Sequence, residues 1–572
     1  MPGLQRLFPF LSWPRPTREL LRGEAMAGLT VGLMVVPQGV AYAALAGMPL
    51  VTGIYASMLP ALVAVLFCAS TRLSVGPTAL TALLVGTSLT GLAAPGSAQW
   101  IELAVWLCLL TGLTQVALGF VRFGWLLNLI TSPVLMAFTQ GAAILIIASQ
   151  LPALLGFKGN WSQMAAQPSM HWQAMAFGLG SAGLLVLARR WRPAFPSVLV
   201  IVLVSAGISA AMGFEDGGGR VVGALPAGLP ALYWPSLPDV STLSQLVLPT
   251  LVITLVSFLE TASSAKIDNE RKGQQWDQDQ DLIGQGLGKI ASGLCGAFPT
   301  SSSFSRSALN LYAGAQSGWA TVFSVVVVLL LLLLFTPVLR HVPQAVLAAI
   351  VVTAVMGLLK PREFKRLWRI SRIEAVTAGA TFAITLAAAP QLHWGVIAGV
   401  VMALSHFVYQ RLHLRIIEIG LHPDGSLRDR HLWKLPLLAP HLVALRMDAD
   451  LDFASAAAFE RAIGEQLAAF PDTRHVCLFS QPISRIDATG VEVFTKISRQ
   501  LMEKDITLHI SGLKLPVETV LRNAGQLQES PLLRTYRADV EALVALAGIA
   551  VAADVGQDPA PDALAAARAP TA

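Results

Sequence analysis

Apolar residues run along the chain in blocks, separated by short polar breaks or breaks containing glycine and proline, from about residue 23 to residue 415. Fourteen blocks can be marked, near 24–45, 50–70, 77–93, 100–120, 130–155, 173–189, 195–213, 243–265, 280–297, 303–314, 317–338, 343–359, 372–390 and 393–412. Several are shorter than the ~20 residues a straight helix needs to cross a bilayer. The third and tenth are the shortest usable ones. Each opens on a stretch with proline and hydroxyl side chains, Leu73-Ser74-Val75-Gly76-Pro77-Thr78-Ala79-Leu80 and Phe298-Pro299-Thr300-Ser301-Ser302-Ser303-Phe304-Ser305-Arg306-Ser307. Short, interrupted spans in corresponding positions are the sequence sign of an inverted-repeat transporter. Fourteen divides as seven plus seven, which pairs span 3 with span 10. An odd-numbered repeat inserts its second copy upside down, so the two broken helices are expected to enter from opposite faces. The predicted fold is a polytopic α-helical membrane protein of 14 spans in 7+7 inverted repeats.

Beyond Arg415 the pattern changes. Residues 423–545 alternate strand-like segments (Leu442–Met447, His475–Phe479, Ile506–Ile510) with amphipathic ones (Phe453–Ala469, Val491–Glu503 and a shorter one near Pro516–Asn523). This predicts a small cytoplasmic α/β domain. Residues 550–572 are rich in Ala, Pro and Asp and read as a disordered tail.

Composition agrees with a membrane class. Of 572 residues 54% are hydrophobic and 13% charged, against about a quarter charged in soluble proteins. The formal charge is +6, with no basic cluster interleaved with aromatics, so nucleic acid is not an expected partner. The four cysteines, Cys68, Cys108, Cys295 and Cys477, form no C-x-x-C and no Cys/His cluster. Neither a disulfide framework, a metal site nor a cofactor is expected. The basic segment 1–22 precedes an apolar run ending near Ala46, the layout of a signal peptide. Because further apolar blocks follow it, it reads instead as a cytoplasmic N-terminal segment before the first span. With the N-terminus inside, Arg72, Arg122, Arg189-Arg190-Trp191-Arg192, Lys266, Arg271-Lys272, the run from Lys360 to Arg369, Arg411 and Arg415 all fall on the cytoplasmic side. The positive-inside rule is met by nearly every short loop.

The candidate chemistry lies in the interrupted spans. Arg306 sits within one turn of a half-helix start, behind Ser301, Ser302, Ser303 and Ser305. A charge at membrane depth is a functional hypothesis by default, and hydroxyls with free N–H groups at a helix start bind oxyanions. The alternative is a side chain that snorkels to an interface or pairs with a carboxylate. In span 3, Gly76 allows close backbone approach, Pro77 suits the first helical position and Thr78 adds a hydroxyl; the alternative is an ordinary capped loop. In span 1, Pro37 interrupts the helix and places Gln38 and Tyr42 four apart on one face, as cavity lining or as packing groups of a kinked helix. Glu260, in Phe258-Leu259-Glu260-Thr261-Ala262-Ser263-Ser264, lies about 8 Å from the inner end of its span and is a candidate proton carrier, or a partner of Arg306 when no substrate is bound. The alternative is a hydrated carboxylate at a helix end.

Together these stretches resemble the SulP family of sulfate-permease-like anion transporters. The resemblance runs from about 20 to 545. It rests on Val36-Pro37-Gln38-Gly39-Val40-Ala41-Tyr42, Met48-Pro49-Leu50-Val51-Thr52-Gly53-Ile54-Tyr55, Ser70-Thr71-Arg72-Leu73-Ser74-Val75-Gly76-Pro77, Asp281-Leu282-Ile283-Gly284-Gln285-Gly286-Leu287-Gly288, and the stretch from Phe298 to Ser307. Lys289 stands where many members have Asn. The resemblance implies a core of spans 1–4 and 8–11 that moves as an elevator against a gate of spans 5–7 and 12–14. It implies an anion held by Gln38, Tyr42, Thr78, Ser303, Ser305 and Arg306, with Glu260 nearby; Gly76, Pro77 and Phe304 are expected to complete the substrate site, and Glu260 with Ser264 the coupling-ion position. Sodium-dependent members have Asp where this chain has Glu260, which favours proton coupling or exchange over sodium. The C-terminal domain resembles the STAS module. Ile486-Asp487-Ala488-Thr489-Gly490 matches the loop phosphorylated in anti-sigma-factor antagonists, making Asp487 and Thr489 candidate regulatory residues unless Thr489 simply caps the following helix.

The expectation is a secondary active transporter of sulfate, bicarbonate or a dicarboxylate, sulfate favoured, not an enzyme. It is expected to be homodimeric, in contact with membrane lipid in a bacterial inner membrane, with a cytoplasmic partner at the STAS domain. The alternatives are a nucleobase transporter on a related fold and a membrane-anchored signalling protein.

Overall fold

The computed structural model describes residues 8–125, 130–157, 170–191, 196–226, 228–273, 275–412, 414–528 and 530–554. Residues 1–7, Arg192 and 555–572 lie outside the described residues, as do the side chains of Arg189, Lys266, Arg271 and Lys272 on which part of the loop-charge reading rested. The chain divides into two units, Met1–Ala403 and Leu404–Ala572.

Each of the fourteen apolar blocks carries helix, the last of them running across the boundary between the units. The elements are α1 (Arg18–Leu45), α2 (Thr52–Tyr55), α3 (Leu59–Phe67), β1 (Val75–Gly76), α4 (Ala79–Leu89), α5 (Ala98–Phe120), α6 (Ser132–Leu154), α7 (Trp172–Trp191), α8 (Ser197–Ala211) and α9 (Val240–Lys272). They continue as α10 (Gln278–Leu294), β2 (Ser301–Ser302), α11 (Phe304–Tyr312), α12 (Trp319–Leu339), α13 (Gln344–Met356), α14 (Pro361–Ile370), α15 (Arg372–Ala387) and α16 (His393–Leu412). Among the described residues, six helical stretches are long and apolar enough to cross a membrane, and shorter apolar helices accompany them.

Local chemistry sets the starts. Thr17, Ser97, Asp277 and Ser371 cap α1, α5, α10 and α15 by accepting from the N–H three residues on. Pro37 lies inside α1, which continues through it to Leu45 rather than breaking there. The second block is split at Met58, with Pro60 in the first turn of α3. Gly39 of α1 and Gly53 of α2 let these two segments touch backbone to backbone, since a Cβ on Gly53 would lie 1.9 Å from the Gly39 carbonyl oxygen.

Two sequence readings are corrected here. The basic run after Lys360, read as a loop, forms α14. Phe364, Leu367 and Trp368 recur at helical spacing among Arg362, Lys365, Arg366 and Arg369, and none of the helix is buried. Pro77 is not the first helical residue of α4. Thr78 takes the cap, its Oγ1 accepting from Thr81 N at 3.3 Å, which leaves Pro77 in the extended approach.

The second unit is a six-stranded sheet in the order β4-β3-β5-β6-β7-β8. Its strands are β3 (Ile416–Leu421), β4 (Leu427–Asp429), β5 (Leu442–Met447), β6 (His475–Phe479), β7 (Thr507–Ser511) and β8 (Leu533–Tyr536). The β5–β8 ladder is parallel, and β3 pairs antiparallel with β4 and β5. Helices α17 (Arg430–Trp433), α18 (Ala456–Ala469), α19 (Ala488–Glu503), α20 (Leu515–Asn523) and α21 (Asp539–Asp554) complete it. The sheet begins at Ile416, before the expected boundary at 423, because Ile416, Ile417 and Ile419 follow the last apolar block too closely to stand out from it. Residues 550–554 belong to α21 rather than to a tail.

Candidate functional site

The two stretches that open spans 3 and 10 meet. Val75 pairs with Ser302 and Gly76 with Ser301 in a two-residue antiparallel bridge. The bridge is extended by Ser303 N donating to the Ser74 carbonyl at 3.0 Å and by Ser307 Oγ accepting from Ser74 N at 3.0 Å. Immediately beyond it, α4 starts at its Thr78 cap and α11 at its Ser303 cap, whose Oγ accepts from Arg306 N. Both helix starts leave N–H groups without intrahelical partners, and both carry the positive end of a helix dipole.

Arg306 is buried to 1% exposure and is held by both halves of this junction. Its Nε donates to Ser74 Oγ at 3.2 Å, and its Nη1 donates to the Pro77 carbonyl at 2.9 Å and to Gln38 Oε1 at 3.4 Å. Its Nη2 has no hydrogen-bond partner among the described residues. The guanidinium lies so close to Gly76 that a Cβ there would be 3.3 Å from Nη2. No ion pair joins Arg306 to Glu260 among the described residues; the arginine is met by neutral acceptors, which corrects the pairing considered from sequence.

A cavity of about 1050 Å³ opens beside this junction, and Gln38, Tyr42, Thr78, Glu260, Ser303, Phe304 and Ser305 all line it. Its opposite wall comes from Leu185, Val186 and Arg190 of α7 and from Ile350, Thr353 and Lys360. Gly76, Pro77 and Arg306 stand behind the wall rather than in it, and Ser264 lies apart from it. Arg306 occupies the third position of α11, and its side chain runs back over the preceding residues, as helical side chains do. That direction carries it under the cavity floor instead of into the lumen.

Glu260 Oε2 accepts from Thr78 Oγ1 at 3.0 Å and Thr81 Oγ1 at 3.1 Å, tying α9 to the start of α4. Ser264 donates to the Glu260 main-chain carbonyl at 3.2 Å, one turn along the helix. Several buried polar groups nearby entered the sequence reading only as parts of longer motifs or as loop charge, or not at all, and none was given a role at the site. Asp281 accepts from Ser70 N (2.9 Å), Ser70 Oγ (2.6 Å) and Trp276 Nε1 (2.7 Å). Gln285 donates to Ser302 Oγ at 3.0 Å, and Asn310 donates to the Arg72 carbonyl at 2.8 Å. Arg72 forms an ion pair with buried Asp268. A carboxylate or amide inside an apolar block was the available signal.

In the second unit Asp487 is the cap of α19, accepting from Gly490 N at 2.8 Å through one oxygen and from Phe453 N at 2.9 Å through the other. Thr489 is therefore not the cap. It lies exposed in the first turn, and a side chain at position 490 is barred because a Cβ there would meet the Leu451 carbonyl at 2.1 Å.

Two helix starts that meet beside a polar cavity within a bundle of apolar helices define an integral membrane protein, and a separate α/β module follows its membrane part. The sequence profile of the sulfate permease family matches residues 21–381, and that of the STAS domain matches 438–541. The chain belongs to the sulfate permease family. It is 30% identical over 558 residues to sulfate transporter 4.1, chloroplastic, of Arabidopsis thaliana, covering 92% of this chain and 80% of that one. It is 30% identical over 524 residues to the probable sulfate transporter Rv1739c of Mycobacterium tuberculosis, covering 90% and 93%. Its fold is similar to that of murine solute carrier 26 family member A9 (TM-score 0.84, 20% identity, covering 93% of each chain). It is also similar to the transmembrane domain of a cyanobacterial bicarbonate transporter, BicA (TM-score 0.57, 20% identity, 68% of this chain and 99% of that one).

Proposed function

We propose that the protein is a secondary active anion transporter whose cargo is sulfate, bound in the cavity against the starts of α4 and α11. One observation carries this reading: a fully buried arginine, tied to both half-helix starts, lies directly behind the polar wall of the cavity. Thr78, Ser303, Ser305, Gln38 and Tyr42 offer donors to the anion, Phe304 closes one side, and Gly76 and Pro77 shape the floor. Arg306 supplies positive charge from beneath. The transporter names of the sequence relatives favour sulfate.

The membrane domain is read as fourteen spans in two inverted repeats. The meeting of spans 3 and 10 in an antiparallel bridge supports this, since symmetry mates entering from opposite faces would meet head to head. The cavity has one wall from spans 1, 3, 8 and 10 and the other from spans 6, 7 and 12, as an elevator core facing a gate would. Arg190 near the end of α7 and Lys360 just before α14 line it as well, so the cavity opens toward the cytoplasm under the positive-inside assignment. Glu260, in reach of the cavity and of Thr78, is the proton carrier, and sodium has no part. The protein is a homodimer of a bacterial inner membrane with the N-terminus and the STAS domain inside. Exposed Thr489 beside Asp487 is the contact for a cytoplasmic partner.

A nucleobase cargo fits less well, because the cation lies beneath the site and the Glu260 oxygen facing Thr78 is already occupied. Radiolabelled sulfate uptake into proteoliposomes, with bicarbonate, dicarboxylates and uracil as competitors, tests the reading. Uptake is expected to rise as external pH falls, to be indifferent to sodium, and to lose its pH dependence in Glu260→Gln. Competition by uracil without sulfate uptake would sink the anion assignment.

A further inference from the structure

Lys289 is fully buried, with 0% exposure, and lines no part of the cavity. An ammonium in such a place is costly unless something balances it. Its Nζ donates to Gln115 Oε1 at 2.9 Å, a neutral acceptor. Gln115 in turn donates through Nε2 to Ser257 Oγ and to the Thr254 carbonyl, each at 3.1 Å, both on α9. The Ser257 carbonyl accepts from Ser301 Oγ of β2 at 2.9 Å. Glu260 follows Ser257 by three residues, on the same face of α9. The lysine is thus joined through one amide to the helix turn that carries the carboxylate.

The groups that act electrostatically on Lys289 are the thiols of Cys108 and Cys68 and the carboxyl of Glu260. Only the last is ordinarily an anion near neutral pH. Glu260 is faced by Lys289 from α10, Arg306 from α11 and Tyr42 from α1, with the hydroxyls of Thr78 and Thr81 from α4 and of Ser301 from β2. Arg306 is engaged with the bridge and the site floor. Lys289 has no such engagement.

The geometry points to Lys289 as a fixed counter-charge for Glu260, held at one remove by Gln115, that sets the pH range over which Glu260 exchanges its proton. It is a positioning residue, and the assignment rests on the reading of Glu260 as the proton carrier. The step is a bare proton transfer between cavity water and a Glu260 carboxylate oxygen, with an O–H bond made in one direction and broken in the other. The ionised carboxylate then has its balancing charge built into the protein and requires no bound alkali cation.

The test is sulfate uptake into proteoliposomes against external pH for the wild type, Lys289→Met, Lys289→Arg, Glu260→Gln and the double variant Glu260→Gln/Lys289→Met. Lys289→Met is expected to move the midpoint of the pH profile to the alkaline side by about one pH unit. Lys289→Arg is expected to restore it, and the flat profile of Glu260→Gln is expected to be unchanged by adding Lys289→Met. A wild-type midpoint in Lys289→Met, or an equal loss of rate with and without Glu260, makes Lys289 a packing residue and overturns the assignment. A wild type that is flat in pH removes the proton step and this role with it, which separates the two failures. If Lys289→Met does not fold, Lys289→Gln is measured in its place with the same expected shift.

Discussion

The placement of Arg306 behind the cavity wall makes a specific expectation for its substitution. A guanidinium that touched the anion would contribute through paired, directional hydrogen bonds, and lysine would replace it poorly. A guanidinium at one remove contributes mainly through its field. At about 6 Å, with an effective dielectric near 20, a divalent anion gains roughly 5 kcal/mol from one positive charge, and discounting by half for water in the open cavity leaves about 2–3 kcal/mol. Arg306→Gln is therefore expected to raise the Kd for sulfate roughly 30- to 150-fold. Arg306→Lys keeps the charge but cannot reach Ser74, Gln38 and the Pro77 carbonyl together, and is expected to cost about tenfold or less. The assay is equilibrium binding of radiolabelled sulfate to detergent-purified protein, with thermal melting alongside to confirm that each variant is folded. Wild-type affinity in a folded Arg306→Gln variant would refute the field argument. Equal losses for Gln and Lys would show that the directional bonds, and not the charge, are what matter.

Gly53→Ala puts a methyl 1.9 Å from the Gly39 carbonyl oxygen, between backbones that cannot yield, and is expected to cost about 3 kcal/mol or more, read as a loss of monodisperse protein on heating. Asp281→Ala leaves the N–H and hydroxyl of Ser70 and the indole N–H of Trp276 without their acceptor; a destabilisation of about 3 kcal/mol is expected, with a change in Trp276 fluorescence. In the STAS domain, burial and the neighbouring His475 and Arg534 push His509 down to about 3. With its folded value below the unfolded value near 6.5, the neutral ring stabilises the fold fully above the unfolded value, and this contribution is lost as pH falls below it. About 3 kcal/mol should be gone by pH 4.5, read as faster amide exchange across β6 and β7 in the full chain, and His509→Phe should flatten that dependence. Asp487→Ala removes the α19 cap and is expected to cost about 1 kcal/mol, seen as faster exchange at the Gly490 amide.

The helices were legible because blocks of apolar residues punctuated by Gly, Pro and Ser carry their own boundaries. α14 was missed because Arg and Lys at helical spacing look like loop charge until the phenylalanine, leucine and tryptophan between them are counted. The residues around the cavity were legible as a set. Which of them line it was not: Arg306 and Ser305 are adjacent in sequence, yet side-chain direction at a helix start sends one under the floor and leaves the other in the lumen. Lys289 illustrates a second limit. Its position within an apolar block is visible, but its partner Gln115 lies on another helix, and no periodicity states which helices face each other. In the C-terminal domain β3 merged with the preceding apolar block, and β8 is short, with a charged Arg534 in its middle.

The two-residue bridge between Val75–Gly76 and Ser301–Ser302 has a bearing on energetics. It ties the starts of α4 and α11 into one frame, with Arg306 bonded across it. A frame of this kind cannot loosen its hold on the cargo by parting its two halves. If it travels as a unit, as the proposed elevator reading has it, the core half of the site is the same whichever compartment it faces. Any difference in affinity between the two faces then arises from the wall that α7 and α13 contribute, and not from this junction.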